Sequence, residues 1–264
     1  MRFACAAACV VWAAAGTAWA DTAATAPGAG VAQALEKAGP NRGQLEKALA
    51  AVAGAQREGM EFLIANMPDR DLTSLSAEFL VENVAGAYEA FAKAPWASQV
   101  PKDLFLNDVL PYVNLNERRD NWRKDFATRF VPLVKDAKTI SQAAATLNAR
   151  IFAELKVRYS TERPKPDQSP YESTAVGKAS CTGLSIILVD ACRAVGIPAR
   201  VAGAPLWTDG SGNHTWVEVW DGRWHYTGAA EPRRREARQR VVRQPRHPGP
   251  ERPPAERPVR RQLP

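Results

Sequence analysis

The stretch from Cys181 to Ala229 most restricts the folds open to this chain, because its local signals fix an order of elements. The apolar run CTGLSIILVDACRAV (181–195) reads as a helix; Gly196 suits the left-handed position that closes it, and Pro198 prevents its continuation. ARVAGAPLW then reads as a strand and TDGSGN as an open loop. HTWVEVW, DG and RWHYTGA read as a β-hairpin with Asp221-Gly222 as a two-residue turn. The order is helix, strand, loop, strand, turn, strand.

Upstream, helical signals follow one another from residue 31 to residue 159. Leu45, Leu49, Val52, Phe62 and Ile64 predict a helix over 44–66 that Pro68 closes. Leu75, Phe79, Leu80, Val84, Tyr88 and Phe91 predict a second over 75–93, stopped before Pro95. Trp122, Phe126 and Phe130 recur at four-residue steps, as do Leu147, Ile151 and Leu155, so each set lies on one helix face and reads as core. Thr139 and Gln142 have the spacing of a capping box. Residues 160–175, with three prolines and little periodicity, read as a loop. No internal repeat and no Gly-rich phosphate loop is present.

Both ends differ from the body. MRFACAAACVVWAAAGTAWA (1–20) has an early Arg, an apolar stretch too short for a permanent membrane span, and Ala18-x-Ala20, the pattern of a cleavable secretory signal cut after Ala20. A spacer over 21–30 follows. These features predict a periplasmic or extracellular protein with no transmembrane segment after signal removal, whose mature form keeps only Cys181 and Cys192. Residues 233–264 hold eleven Arg and three Glu, so this Pro-rich tail accounts for the whole +7 net charge and leaves the body near neutral. The tail reads as solvated and disordered, and nucleic acid is not an expected partner. Its composition breaks abruptly at Arg233, which leaves open a basic extension or a stretch translated out of frame.

The two cysteines have different roles. On one helix, eleven residues separate their Cα atoms by about 16 Å, against roughly 7 Å for a disulfide. Cys192 follows Ile187, Leu188 and Val189 near the helix C-terminus, where the dipole disfavours a thiolate, and reads as core. Cys181 stands in the first turn, where free N–H groups and the positive dipole end favour the anion. Small neighbours Ser180, Thr182 and Gly183 suggest access for a substrate.

A thiolate nucleophile needs a base, and the base an orienting acceptor. His247 lies in the tail and His225 inside the second hairpin strand, whereas His214 heads the first one. With a two-residue turn, His214 falls opposite Ala229 and on the same face as Glu231, which makes Glu231 the acid best placed to hold it. Glu218 and Asp221 lie about 13 Å or more along the hairpin.

SCTGLSIILVDACRAVGIPAR followed by GNHTWVEVWDGRWHY resembles the core of the transglutaminase-like superfamily of papain-type thiol enzymes. The resemblance covers residues 176–232. It implies an α+β fold, with the cysteine helix packed on an antiparallel sheet, preceded here by a mostly helical region. It also implies Cys181 as nucleophile and His214 as general base and acid, in a cysteine-type amide hydrolase or acyltransferase working through a thioester. The commoner family pattern has Asp-Pro four residues after the hairpin tryptophan; here that position is Gly228, and Glu231-Pro232 comes three later. The domain expectation is therefore a transglutaminase-like core over 160–232. Expected partners are peptide, protein or cell-wall amides, with no cofactor and no metal. Trp216 and Trp224 either wall the site or pack the hairpin on the helix, and the Cys181 N–H is one oxyanion donor. The alternatives are a non-catalytic binding module of the same fold and an inactive fragment.

Overall fold

The computed structural model describes residues 28–204 and 213–231. The expected signal, nearly all of the spacer, Pro205–Trp207, most of the TDGSGN loop, Pro232, His247 and the tail lie outside the described residues. The elements in chain order are α1 (Ala29–Lys37), α2 (Arg42–Ala50), α3 (Gly54–Asn66), α4 (Asp69–Leu72), α5 (Ala77–Lys93), α6 (Lys102–Asp108), α7 (Arg123–Val134) and α8 (Ile140–Leu155). Then follow β1 (Arg158–Tyr159), α9 (Pro170–Val176), β2 (Lys178–Ala179), α10 (Cys181–Ala194), β3 (Ala199–Ala204), β4 (His214–Trp220) and β5 (Trp224–Thr227).

The predicted α+β architecture is present. A three-stranded antiparallel sheet in the order β3-β4-β5 carries α10 on one face, and a short parallel pair, β1 and β2, leads into α10. Every residue of α10 from Gly183 to Ala194 is buried, so this helix, apolar nearly all round, is the axis of the core. Helices α5, α7, α8 and α9 surround it, and Thr215, Val217 and Val219 of β4 alternate toward it. The core runs without a break from Val31 to Val219, and both four-residue stripes are in it: the aromatic Trp122, Phe126 and Phe130, and the aliphatic Leu147, Ile151 and Leu155.

Several local expectations needed correction. The helix predicted over 44–66 is two helices, broken at residues 51–53 ahead of Gly54, whose φ of +53° reverses the chain. Thr139 accepts from the Gln142 N–H as predicted, but the Gln142 carboxamide accepts from Lys138 N rather than closing the box on Thr139. The loop predicted over 160–175 contains α9, which has a complete capping box between Ser169 and Glu172 and Pro170 in its first turn. The hairpin turn has three residues, because Trp220 pairs with Trp224 and Gly222 takes the left-handed conformation at φ +71°.

Behind the C-terminal half of α10 two buried arginines stitch the segment 108–114 to the core. Arg193 donates to the carbonyls of Asp108, Pro111, Val113 and Ala199; Arg123 donates to those of Val109, Leu110, Pro111 and Arg193 and to Asn83 Oδ1. Gly86 of α5 leaves the groove through which the Arg123 stem passes, since a Cβ there would stand 3.1 Å from Arg123 Cδ. Burial pushes the Arg123 guanidinium down to about 9.

Asp190 lies beside this pair, fully buried. Its Oδ1 accepts from Asn114 Nδ2 at 2.8 Å, while Asp190 Oδ2 and Asn114 Oδ1 are both buried without a partner. A proton on Oδ2 would remove the buried charge, and burial, followed by nearby Glu117, holds the carboxyl well above the usual range. A carboxyl whose folded value is raised stabilises the fold fully below the unfolded value, about 4, and loses that contribution as pH rises toward the folded value. Asp190→Asn, an isostere of the protonated form, is therefore expected to raise Tm at pH 7 by about 2–4 °C for each kcal/mol gained, with little change at pH 4. Thermal melts of both proteins across this range check it; a lower Tm at pH 7 would show instead an ionised Asp190 held by Arg193 and Arg123.

Candidate active site

The site is built on the first turn of α10. Ser180 is its N-cap: the hydroxyl accepts from Gly183 N at 3.0 Å and donates to the carbonyl of Pro166, which ties the 160–169 segment to the helix start. The Cys181 and Thr182 N–H groups occupy first-turn positions with no intrahelical acceptor. Cys181, the first helical residue, is half-buried with a free thiol. Small residues here serve packing more than access. Ser180 is buried, and a Cβ at Gly183 would stand 3.1 Å from Ala179 Cβ and 3.6 Å from Ser173 Oγ, so glycine lets α9 and β2 close on the turn. Cys192 is fully buried, and burial pushes its thiol up to about 12, the behaviour of a core residue.

His214 is the first residue of β4 and pairs with Ala204 of β3. The two chain segments meet one residue further on, where Thr182 Oγ1 and Thr215 Oγ1 are hydrogen-bonded at 2.9 Å. The residue before each partner of this bridge is Cys181 on one side and His214 on the other. The Cys181 thiol and the His214 ring are not hydrogen-bonded to each other among the described residues; such pairs often tighten only when substrate binds. Gly203 of β3 admits this strand end: a Cβ there would approach the His214 carbonyl oxygen to 2.7 Å.

The three-residue turn removes the parity argument for Glu231. The observed register sets Glu218 opposite Tyr226 rather than His225, which moves every position of the second strand by one and therefore to the other face. The ladder also ends at Thr227, so pairing does not position Glu231, which is exposed. Its carboxylate folds back over Gly228: a side chain at 228 would overlap Glu231 Oε2 and bring its Cβ within 2.7 Å of Glu231 Cδ. The other hairpin acids are engaged elsewhere. Glu218 is paired with Arg200 at 2.7 Å, and Asp221 accepts from both the backbone N–H and the hydroxyl of Ser141 at the start of α8.

The tryptophans do not pack the hairpin on α10. Trp216 and Trp220 alternate onto the opposite face of the sheet, and Trp224, paired with Trp220, is there too. Trp216 is beside His214, with ring centres 6.2 Å apart, whereas Trp224 lies under the Arg200 guanidinium at 3.9 Å, at the far end of the hairpin. A surface cavity lined by Phe62, Leu63, Met67, Pro111 and Tyr112 contains none of the candidate residues. No helix among the described residues is long and apolar enough to cross a membrane.

The family model of the Transglutaminase-like superfamily matches from Phe126 in α7 to Gly228 just after β5, a span that contains both Cys181 and His214. Residues 126–228 are similar to that superfamily. The transglutaminase-like span thus includes α7 and α8 as well as the cysteine helix and the sheet, and it stops three residues before Glu231. Comparison with curated proteins gives no match. Among solved structures the chain is similar to a candidate cysteine protease from Cytophaga hutchinsonii, at 13% identity and a TM-score of 0.40. That similarity covers 52% of this chain and 45% of the other, so it spans less than half of that protein.

Sequence reasoning passed over Asn148, Gly203 and the Thr182–Thr215 bridge. The last two had no local signal, because a glycine in a strand and two threonines far apart in sequence become informative only once the register is known.

Proposed function

We propose that this chain is a cysteine-type amide hydrolase or acyltransferase, with Cys181 as nucleophile, His214 as general base and acid, and Glu231 as the acceptor that orients His214. The observation that supports the reading is the Thr182–Thr215 bond, which holds the first turn of α10 against the head of β4, one residue along the chain from Cys181 on one side and from His214 on the other. The match to the Transglutaminase-like superfamily over both residues supports it. In the proposed cycle His214 takes the thiol proton, the sulfur attacks the amide carbonyl, and the oxyanion is met by the Cys181 N–H at the helix start. The C–N bond then breaks as His214 returns the proton to the departing amine, leaving a thioester. Water resolves it in hydrolysis, an amine in transfer. Peptide, protein or cell-wall amides are the proposed substrates, met in the periplasm or outside the cell.

Iodoacetamide tests the thiol directly, with alkylation read on the Cys181 peptide by mass spectrometry. Cys181 is expected to react faster at pH 6 than a free cysteine in a short peptide, and His214→Ala to abolish the difference. Labelling no faster than the peptide, unchanged by His214→Ala, would favour a non-catalytic binding module of the same fold.

A further inference from the structure

Asn148 is a polar residue in the middle of α8, 4% exposed, on a helix face otherwise made of Leu147, Ile151 and Ala144. Its side chain reaches away from its own helix. Asn148 Nδ2 donates to Thr227 Oγ1 at 3.1 Å and to the Gly228 carbonyl at 2.8 Å, and Asn148 Oδ1 accepts from Ala230 N at 2.9 Å. One buried carboxamide therefore brackets the four residues from the last paired position of β5, Thr227, to Ala230. Between its two ends the chain reverses through Ala230 at φ +60°, a left-handed conformation that alanine rarely adopts and that a hydrogen bond to its own N–H helps to hold.

The consequence of this reversal falls on Glu231. Its carboxylate lies where a side chain of residue 228 would otherwise stand, and only glycine at 228 leaves that space. Resting on the thiol reading above, we infer that Asn148 is the positioning residue of the site: it fixes the turn over 227–230 and thereby sets the Glu231 carboxylate above Gly228, from where it serves His214. Two observations meet here. The bracket accounts for a buried asparagine in an apolar helix face, and the overlap at Gly228 accounts for an acid that arrives three residues beyond the family's usual position.

The experiment uses the full chain and iodoacetamide as the probe, with alkylation of the Cys181 and Cys192 peptides read separately. Cys192 is fully buried, so its labelling reports unfolding and serves as an internal control. Asn148→Ala and Glu231→Gln are each expected to slow Cys181 alkylation at pH 6 by about tenfold, the factor that one pH unit in the thiolate profile produces. Both are expected to remove the low-pH limb of that profile, and the double variant to be no slower than either single one. Gly228→Ala, which displaces the carboxylate while leaving the Asn148 side chain itself in place, is expected to behave as Glu231→Gln does.

An Asn148→Ala profile identical to that of the parent would overturn the inference. So would a double variant in which the two effects multiply. Glu231→Gln without effect, when His214→Ala still slows Cys181, would remove Glu231 and with it this inference while leaving the thiol reading intact; His214→Ala without effect would remove the reading itself. Should Cys192 become labelled in Asn148→Ala, Asn148→Asp decides. It keeps the shape and the acceptor for Ala230 N–H and loses donation to Gly228, and it is expected to slow Cys181 in the same direction.

Discussion

On the proposed mechanism Cys181→Ala is expected to lower amide turnover by at least about a thousandfold, because the substitution removes the atom that would form the thioester and leaves only the binding and oxyanion contributions. The fold should be nearly indifferent to it. Cys181 is half-buried at the first helical position, its thiol has no partner in the core, and the Ser180 cap that holds the helix start is untouched. A stability change within about 1 kcal/mol is the expected cost of such a site. Cys192→Ala supplies the opposite pattern: turnover per folded molecule stays, while a fully buried side chain is lost from the core and the melting temperature falls. Turnover measured with a peptide or glutamine-analogue amide, beside thermal melts of each variant, separates the two. Full turnover in Cys181→Ala would sink the thiol mechanism.

Arg123→Met is expected to be the most damaging single change to stability, by about 2–4 kcal/mol, the range expected when a buried hydrogen-bond network loses its donor. Methionine fills much of the same space, but it leaves the Val109 carbonyl and Asn83 Oδ1 without the donor that now reaches them, while the Leu110 and Pro111 carbonyls keep only their bonds from Asn83 and Arg193. Unpaired buried acceptors cost about 1–3 kcal/mol each when taken singly, and here two face one vacated groove. Against a total stability of about 5–15 kcal/mol, that loss leaves little margin. Urea unfolding checks it. A midpoint close to that of the parent would mean that the 108–114 segment finds other donors, Arg193 being the nearest candidate.

Features written in short-range chemistry were readable from the sequence. Cys181 to Ala194 is helical within one residue of the expected end, with Gly196 in the left-handed conformation at φ +77°, because cap, apolar run and glycine are all local. The aromatic and aliphatic stripes were readable for the same reason. The hairpin turn was misjudged because Asp-Gly suits both two- and three-residue turns, and the difference of one residue appears only in the cross-strand pairs. Ser169 and Glu172 did carry the signal for α9, masked by the prolines around them. The break before Gly54 lies among alanines that would continue a helix equally well. Asn148, Arg123 and Arg193 were out of reach for a different reason. Most of their partners are backbone atoms from about ten to eighty residues away, and nothing beside a polar residue in the sequence says that it will be buried against them.

Helix α8 holds the hairpin at two points seven residues apart, through Ser141 to Asp221 at the tip and through Asn148 to Thr227, Gly228 and Ala230 at the base. Seven helical residues span about 10.5 Å, and four extended ones from Trp224 to Gly228 about 13 Å. The helix thus acts as a splint whose length is matched to the strand it braces. An insertion of one residue between Ser141 and Asn148 would turn the second contact by about 100° away from the sheet, and one in β5 would carry the strand past its anchor. Length variation in this part of the chain can be tolerated only when helix and strand change together, which ties the spacing of two segments about eighty positions apart to each other.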